Sequence, residues 1–173
     1  FDNDGHLITS TTVTVGSSLY YVNADGVIQD TPNKWISYTD SDSNSKYWLY
    51  TKSNGALAIG ETVKIGSTKY IFDSNGYLTL SIDSSNHVYD SDSKLITDNA
   101  VTIGSNLYYV NTDGVLTTTP NTWITYTNDD EENIQHKHYN KAEGTIAKEE
   151  VVKIYGNDYI FDAYGYLVTD RTY

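Results

Sequence analysis

The sequence of 173 residues contains no cysteine. That absence excludes disulfide bonds, thiolate metal sites and thiol nucleophiles. It also contains no apolar run near the roughly 20 residues that a membrane-spanning helix needs. Without disulfides, a secreted chain of this size has to obtain its stability from the packing of repeated elements.

Basic residues are also scarce: 11 Lys and Arg stand against 23 Asp and Glu, for a formal net charge of −12. Nucleic acids and anionic membranes both need a cationic protein surface, so neither is expected as a partner. Hydrophobic residues make up only 38%, and 17 tyrosines accompany 3 phenylalanines. Tyrosine buries a ring while its hydroxyl keeps a partner or water, which favours thin sheets with little aliphatic core.

The chain has no initiator methionine and no signal peptide, and it opens inside a motif, with "FDNDG". We therefore expect a segment of a larger, multidomain surface protein. The sequence repeats itself: Tyr20 recurs as Tyr108 and Trp35 as Trp123, at an offset of 88 residues. Such self-similarity predicts two homologous lobes, 1–86 and 87–173, that together form one bilobed binding module.

Each lobe repeats a shorter pattern, in which a β-branched strand, a small turn and a tyrosine-rich strand end at an Asx-Gly turn. The four instances are "VTVGSSLYYVNADGVI", "VKIGSTKYIFDSNGYL", "VTIGSNLYYVNTDGVL" and "VKIYGNDYIFDAYGYL". Alternating apolar residues beside such turns indicate β-hairpins, and no helical period persists. The sequence predicts an all-β fold with about three hairpins in each lobe.

The phrases "YIFDSNGYL", "YIFDAYGYL" and "YYVNTDGVL" resemble the cell-wall-binding repeats of Gram-positive surface proteins. That superfamily includes choline-binding modules and the glucan-binding repeats of glucansucrases. The resemblance implies stacked hairpins, a secreted or cell-surface location and a polymer ligand. Those repeats place a Gly-Trp pair soon after the turn, whereas this chain has Trp35 and Trp123 further along. The two-lobed arrangement is also similar to starch-adherence modules of gut bacteria.

Strand alternation separates core aromatics from free ones. Residues that share a face in the tyrosine-rich strands are predicted to form the core: Tyr20 with Val22, Tyr70 with Phe72, Tyr108 with Val110, and Tyr159 with Phe161. Tyr21 and Tyr109 lie on the opposite, more variable face and are expected to be partly buried. Trp35 and Trp123 share a face with Ser37 and Thr125, which favours exposure. Trp48 is replaced by Lys137 in the second copy, so it is also predicted to be exposed.

These observations define a candidate ligand surface of aromatic residues that can stack on sugar rings: Trp35, Trp48, Tyr50, Trp123 and Tyr139. Neighbouring side chains could bond sugar hydroxyls: Lys52, Lys141, Asn33, Asn121 and His138. We interpret the chain as a non-catalytic module that binds an α-glucan polysaccharide, of starch or dextran type, in a groove contributed by both lobes. The alternatives are a cell-wall anchor that reads choline or another wall polymer, and a structural or protein-interaction repeat.

No cofactor, metal site or enzyme activity is predicted. Asp40, Asp42 and Asn44 have the alternation of a calcium loop, but the required glycine does not follow Asn44. His136 and His138 have no evident third ligand. No catalytic motif is present, and the carboxylates fall mainly in turns or in the variable loop.

Overall fold

The structure is a computed structural model that describes residues 1–40, 43–127 and 135–168. Within these ranges the chain forms sixteen β-strands in small antiparallel sheets, which confirms the predicted all-β hairpin fold. No helix among the described residues is long and apolar enough to cross a membrane. The chain divides into two compact units, the first comprising Phe1–Ser84 with Tyr89–Lys94, the second Ser85–Val88 with Leu95–Tyr173.

The first unit contains sheets of the orders β1-β2-β3, β4-β5 and β6-β7-β8-β9. Its strands are β1 (Thr11–Val15), β2 (Ser18–Val22), β3 (Ile28–Gln29), β4 (Trp35–Thr39), β5 (Lys46–Tyr50), β6 (Thr62–Ile65), β7 (Thr68–Phe72) and β8 (Leu78–Ile82), with β9 (Val88–Asp90) at the boundary. The central hairpin, β4–β5, carries two of the three tryptophans, Trp35 and Trp48.

The second unit repeats this order with the sheets β10-β11-β12, β13-β14 and β15-β16. Its strands are β10 (Asn99–Ile103), β11 (Asn106–Val110), β12 (Leu116–Thr117), β13 (Thr122–Thr127), β14 (Gln135–Asn140), β15 (Glu150–Ile154) and β16 (Asn157–Phe161). Its central hairpin is β13–β14, which corresponds to β4–β5.

The turn after each tyrosine-rich strand is closed by an Asx side chain. Asn23 Oδ1 accepts the backbone N–H of Asp25 at 3.0 Å and of Val27 at 2.9 Å. Asp73 does the same with the N–H groups of Asn75 at 2.9 Å and Tyr77 at 2.8 Å. Such side-chain hydrogen bonds stabilise the turn between one strand and the next, so these carboxylates and amides have a structural role.

Each central hairpin packs against apolar residues on both of its faces. In the first unit, one buried cluster joins Tyr38 and Leu49 to Leu57. A second cluster joins Tyr50 to Ala58 and Phe72. An isolated hairpin is marginally stable, and stacking on both sides supplies the burial that it lacks.

The second unit has the same two clusters, and they correct one prediction. Val110 and Phe161 are buried as expected, but Tyr108 and Tyr159 are only half-buried. Tyr109 is more buried than Tyr108, because it packs with Leu107 and Ile146 in one of these two clusters. The prediction that the core lies mainly on the Tyr108 face was wrong, since both faces of a stacked hairpin are covered.

Candidate functional site

One face of the β4–β5 hairpin presents the aromatic residues predicted to meet a ligand. The register pairs Trp35 with Tyr50 and Ser37 with Trp48, so all four side chains share that face. In β13–β14, Trp123 pairs with Tyr139 and Thr125 with Lys137. Strand alternation and the register thus place these residues on one face of each hairpin.

Trp35 is held by three other rings and remains 37% exposed. Its ring centroid lies 5.0 Å from that of Tyr50, 4.9 Å from Tyr70 and 5.9 Å from Phe72. These separations fall within the range of favourable aromatic pairs. The indole therefore forms a platform whose orientation is fixed by packing and whose remaining surface faces solvent.

Trp123, which was predicted to be exposed, is half-buried because it packs against the cluster of Tyr139 and Phe161, but its neighbouring rings repeat the platform in the second unit. Its centroid lies 5.1 Å from Tyr139, 5.1 Å from Tyr159 and 6.0 Å from Phe161. The interplanar angles of 60°, 71° and 35° correspond to 57°, 69° and 34° around Trp35. The two copies thus fix their tryptophans in the same way.

Tyr50 and Tyr139 support the platforms from below. Each is only 6% exposed, and each hydroxyl donates a hydrogen bond of 3.4 Å, to Asn33 Oδ1 and Asn121 Oδ1 respectively. The structure therefore places these two tyrosines beneath the tryptophans, so we remove them from the proposed contact surface. Asn33 and Asn121 are exposed and retain their amide N–H groups as donors.

Lys52 and Lys141 are engaged by carboxylates. Lys52 Nζ lies 2.7 Å from Glu61, and Lys141 Nζ lies 3.0 Å from Glu143 and 2.9 Å from Glu150. Burial lowers the pKa of Lys141, but the bonds to Glu150 and Glu143 outweigh it, so that the net pKa is raised. Both ammonium groups are paired with carboxylates, which leaves them a secondary role toward a neutral ligand.

His138 belongs to the core. It is 0% exposed, and its Nδ1 lies 2.7 Å from the carbonyl oxygen of Gly165, which it can reach as a donor. Burial lowers the pKa of His138, against the opposing effect of that hydrogen bond. It occupies the position of Leu49 in the first unit. We therefore remove His138 from the proposed ligand surface.

The prediction that Trp48 is exposed was wrong, because this side chain is half-buried and lines a cavity beside Trp35. The Nζ of Lys46 lies 4.5 Å from the centroid of the Trp48 ring, a cation–π contact. The cavity measures about 330 Å³, and its lining also includes Tyr70, Leu78 and Asp92. Sequence reasoning missed Asp92, because it lies in a turn in which Ser93 replaces the usual glycine.

A second cavity of about 280 Å³ also reaches Trp35. Its lining includes Gln29, Thr31, Lys34 and Thr51. Sequence reasoning missed this cavity too. The sequence did contain an indication of it, because the two copies differ at two of these positions. Gln29 and Lys34 are replaced by Thr117 and Thr122 in the second copy.

The calcium hypothesis concerns residues that are only partly described. Asp42 and residues 128–134 lie outside the described ranges. Asp40 Oδ1 accepts from the backbone N–H of Ser43 at 2.8 Å and from its hydroxyl at 3.0 Å, so this carboxylate closes the loop. Among described residues, one exposed cluster of possible ligands was not foreseen, namely Asp2, Asp4 and His6.

Comparisons with known proteins give structural likenesses only. No protein-family model matches the sequence, and no curated protein matches it. The modular autolysin LytC from Streptococcus pneumoniae matches 97% of this chain and 44% of its own, at 22% identity and a TM-score of 0.32. The pneumococcal cell wall endolysin from phage Cp-1, complexed with choline, matches 94% of this chain and 38% of its own, at 16% identity and a TM-score of 0.39.

An alternansucrase in complex with isomaltotriose matches 91% of this chain and 12% of its own, at 15% identity and a TM-score of 0.48. This chain spans less than half the length of each of these three proteins. The set agrees with the resemblance predicted from the hairpin motifs. All three likenesses concern the fold alone.

Proposed function

We propose that this chain is a non-catalytic carbohydrate-binding module that holds an α-glucan of the starch or dextran type. The observation that carries the proposal is the duplicated tryptophan platform, Trp35 in the first unit and Trp123 in the second. We further propose that the module belongs to a larger protein that is secreted or displayed on the cell surface.

A sugar ring has apolar faces that stack on a flat aromatic side chain. Trp35 offers such a face with its orientation already fixed by three neighbouring rings. Pre-organisation lowers the entropy lost on binding, so more of the contact energy contributes to affinity. The exposed amides of Asn33 and Asn121 lie beside the platforms and can donate to hydroxyl groups.

The charge of the chain is compatible with this ligand. A neutral glucan is not repelled by a net charge of −12. Each unit carries its own platform, so one long polymer can engage both and gain avidity over either unit alone. A polymer is therefore expected to bind more tightly than a short oligosaccharide.

Affinity electrophoresis tests the proposal. Native gels containing amylopectin, dextran or no polymer are compared for the wild type, for a Trp35→Ala and Trp123→Ala double variant, and for Tyr155→Ala. Tyr155 is a highly exposed aromatic side chain outside both platforms, so its loss is a matched control. We expect amylopectin or dextran to retard the wild type and Tyr155→Ala but not the double variant. Unchanged retardation of a folded double variant would refute the assignment.

A quaternary ammonium ligand such as choline is the second candidate. The cavity beside Trp35 contains Trp48, Tyr70 and the carboxylate of Asp92. Aromatic faces with a nearby negative charge attract such cations. Under this alternative, choline raises the melting temperature, Asp92→Asn abolishes the increase, and amylopectin gels cause no retardation.

A further inference from the structure

We propose that the first unit has a second sugar subsite in the cavity formed by Gln29, Thr31, Lys34 and Thr51. This inference rests on the proposed function and extends it. The glucan would run across Trp35, with successive parts of the chain in the two cavities. The first unit would then select a longer segment of glucan than the second unit does.

The position of Trp35 supports a continuous site. Trp35 lines both the cavity of about 330 Å³ and the cavity of about 280 Å³. Small-molecule pockets usually start at about 300 Å³, so each cavity suits a short part of a chain and neither suits a long segment alone. A chain bound over the indole can place rings in both.

The floor of the smaller cavity is already hydrogen-bonded. The Thr51 hydroxyl donates to the carbonyl oxygen of Thr31 at 2.6 Å and accepts the backbone N–H of Lys34 at 2.8 Å. These bonds hold the backbone at Lys34 in place. A ligand therefore meets a pre-formed wall instead of a segment that must order first.

Two long polar side chains at this wall are suited to sugar hydroxyls. Lys34 is exposed and forms no ion pair with any described residue, in contrast to Lys52, whose Nζ lies 2.7 Å from Glu61. The Nε2 of Gln29 donates weakly to the carbonyl of Val27, at 3.3 Å. Together they offer ammonium and amide donors and an amide acceptor.

The second unit lacks these groups. Thr117 and Thr122 occupy the positions of Gln29 and Lys34. Asn140 replaces Thr51 and is buried, with its Nδ2 donating to Thr119 at 3.3 Å. The corresponding wall lacks both long side chains, so the subsite is specific to the first unit.

Isothermal titration with linear maltooligosaccharides of two to about seven rings tests the inference. The key variant exchanges the wall for that of the second unit, Gln29→Thr with Lys34→Thr. The reciprocal variant, Thr117→Gln with Thr122→Lys, is the matched control. We expect the first change to weaken binding of the longest oligosaccharides about tenfold, or about 1.4 kcal/mol, while the shortest are unaffected. The reciprocal change should strengthen long-chain binding by the second unit.

Two outcomes would overturn the subsite. One is an equal loss at every chain length, and the other is no loss at all, in a variant with an unchanged melting temperature. If Trp35→Ala still weakens binding in either case, the proposed function stands without the subsite. If the wild type binds neither oligosaccharides nor amylopectin nor dextran, the proposed function fails and the subsite fails with it.

Discussion

The two units hold their tryptophans alike but surround them differently. Trp35 and Trp123 contact equivalent rings at distances that agree closely, whereas Trp48 corresponds to Lys137 and Lys34 to Thr122. The duplication has therefore kept the tryptophan platform and changed the residues beside it. We call these neighbouring positions the rim: Trp48 and Lys34 in the first unit, and Lys137 and Thr122 in the second. Such a pattern is expected where the central contact determines that a ligand binds and the rim determines which segment of it is preferred.

The opposite faces of the central hairpins show a second contrast. Tyr47 stacks on Tyr77 with a centroid separation of 4.0 Å, and His136 stacks on Tyr166 at the same 4.0 Å. Imidazole thus replaces phenol without a change in spacing. The second unit therefore has an imidazole ring at the position where the first unit has a phenol ring.

The largest predicted effect is a loss of stability at two glycines, Gly55 and Gly144, which occupy equivalent positions in the two units. Alanine at Gly55 or Gly144 would push a Cβ against the backbone carbonyl oxygen of Asp30 or Thr118, at a φ of +81° or +79°. We expect each substitution to cost about 2–4 kcal/mol of unfolding free energy, measured by urea denaturation. Gly60→Ala, where nothing lies within 4 Å, should cost only about 1 kcal/mol. A large effect in one unit alone would contradict the equivalence.

Removing each tryptophan should expose the difference in ligand binding. Trp35→Ala is expected to weaken binding of a long maltooligosaccharide about thirtyfold, or about 2 kcal/mol, because Trp35 lines two cavities. Trp123→Ala should cost about tenfold. Titration calorimetry measures both, with Trp35→Phe and Trp123→Phe retaining a ring in case alanine unfolds the unit. Equal losses of affinity in the two alanine variants would show that the residues beside the tryptophans do not affect glucan binding.

The sequence predicted the hairpins, the duplication and the shared faces, because strand alternation and Asx-Gly turns are local signals. It did not predict that Tyr50 and His138 would be buried. Their environment depends on the next hairpin, which places Phe72 against Tyr50 and Gly165 against His138. The cavities beside Trp35 depend likewise on residues distant in sequence, such as Gln29 and Asp92.

Acid should destabilise the second unit selectively. The pKa of His138 is lowered in the folded state, so the unfolded chain binds more protons below pH 6.5, and stability is lost as the pH falls through that range. The slope is at most about 1.4 kcal/mol per pH unit for one proton. Hydrogen exchange of β14 amides, compared with those of β5, measures it. His138→Leu, which copies Leu49, should remove the difference. Persistent acid sensitivity of β14 in that variant would contradict this explanation.

The smallest effect concerns the rim residue that differs between the platforms. Lys137→Trp gives the second unit the residue of the first and should strengthen glucan binding about two- to threefold, or about 0.5 kcal/mol. Trp48→Lys should weaken binding by a similar factor. Calorimetric titration of both variants with the same oligosaccharide provides the comparison. Tighter glucan binding by the Trp48→Lys variant would contradict the proposed role of Trp48.

Fluorine NMR of the protein labelled with 5-fluorotryptophan tests the central claim most directly. The chain has 3 tryptophans, so the spectrum is simple, and single Trp→Phe variants assign it. We predict that an added maltooligosaccharide shifts the Trp35 and Trp123 resonances saturably, with a smaller shift for Trp48. If the Trp35 and Trp123 resonances stay unchanged at oligosaccharide concentrations that saturate binding, the platforms are not the binding surface.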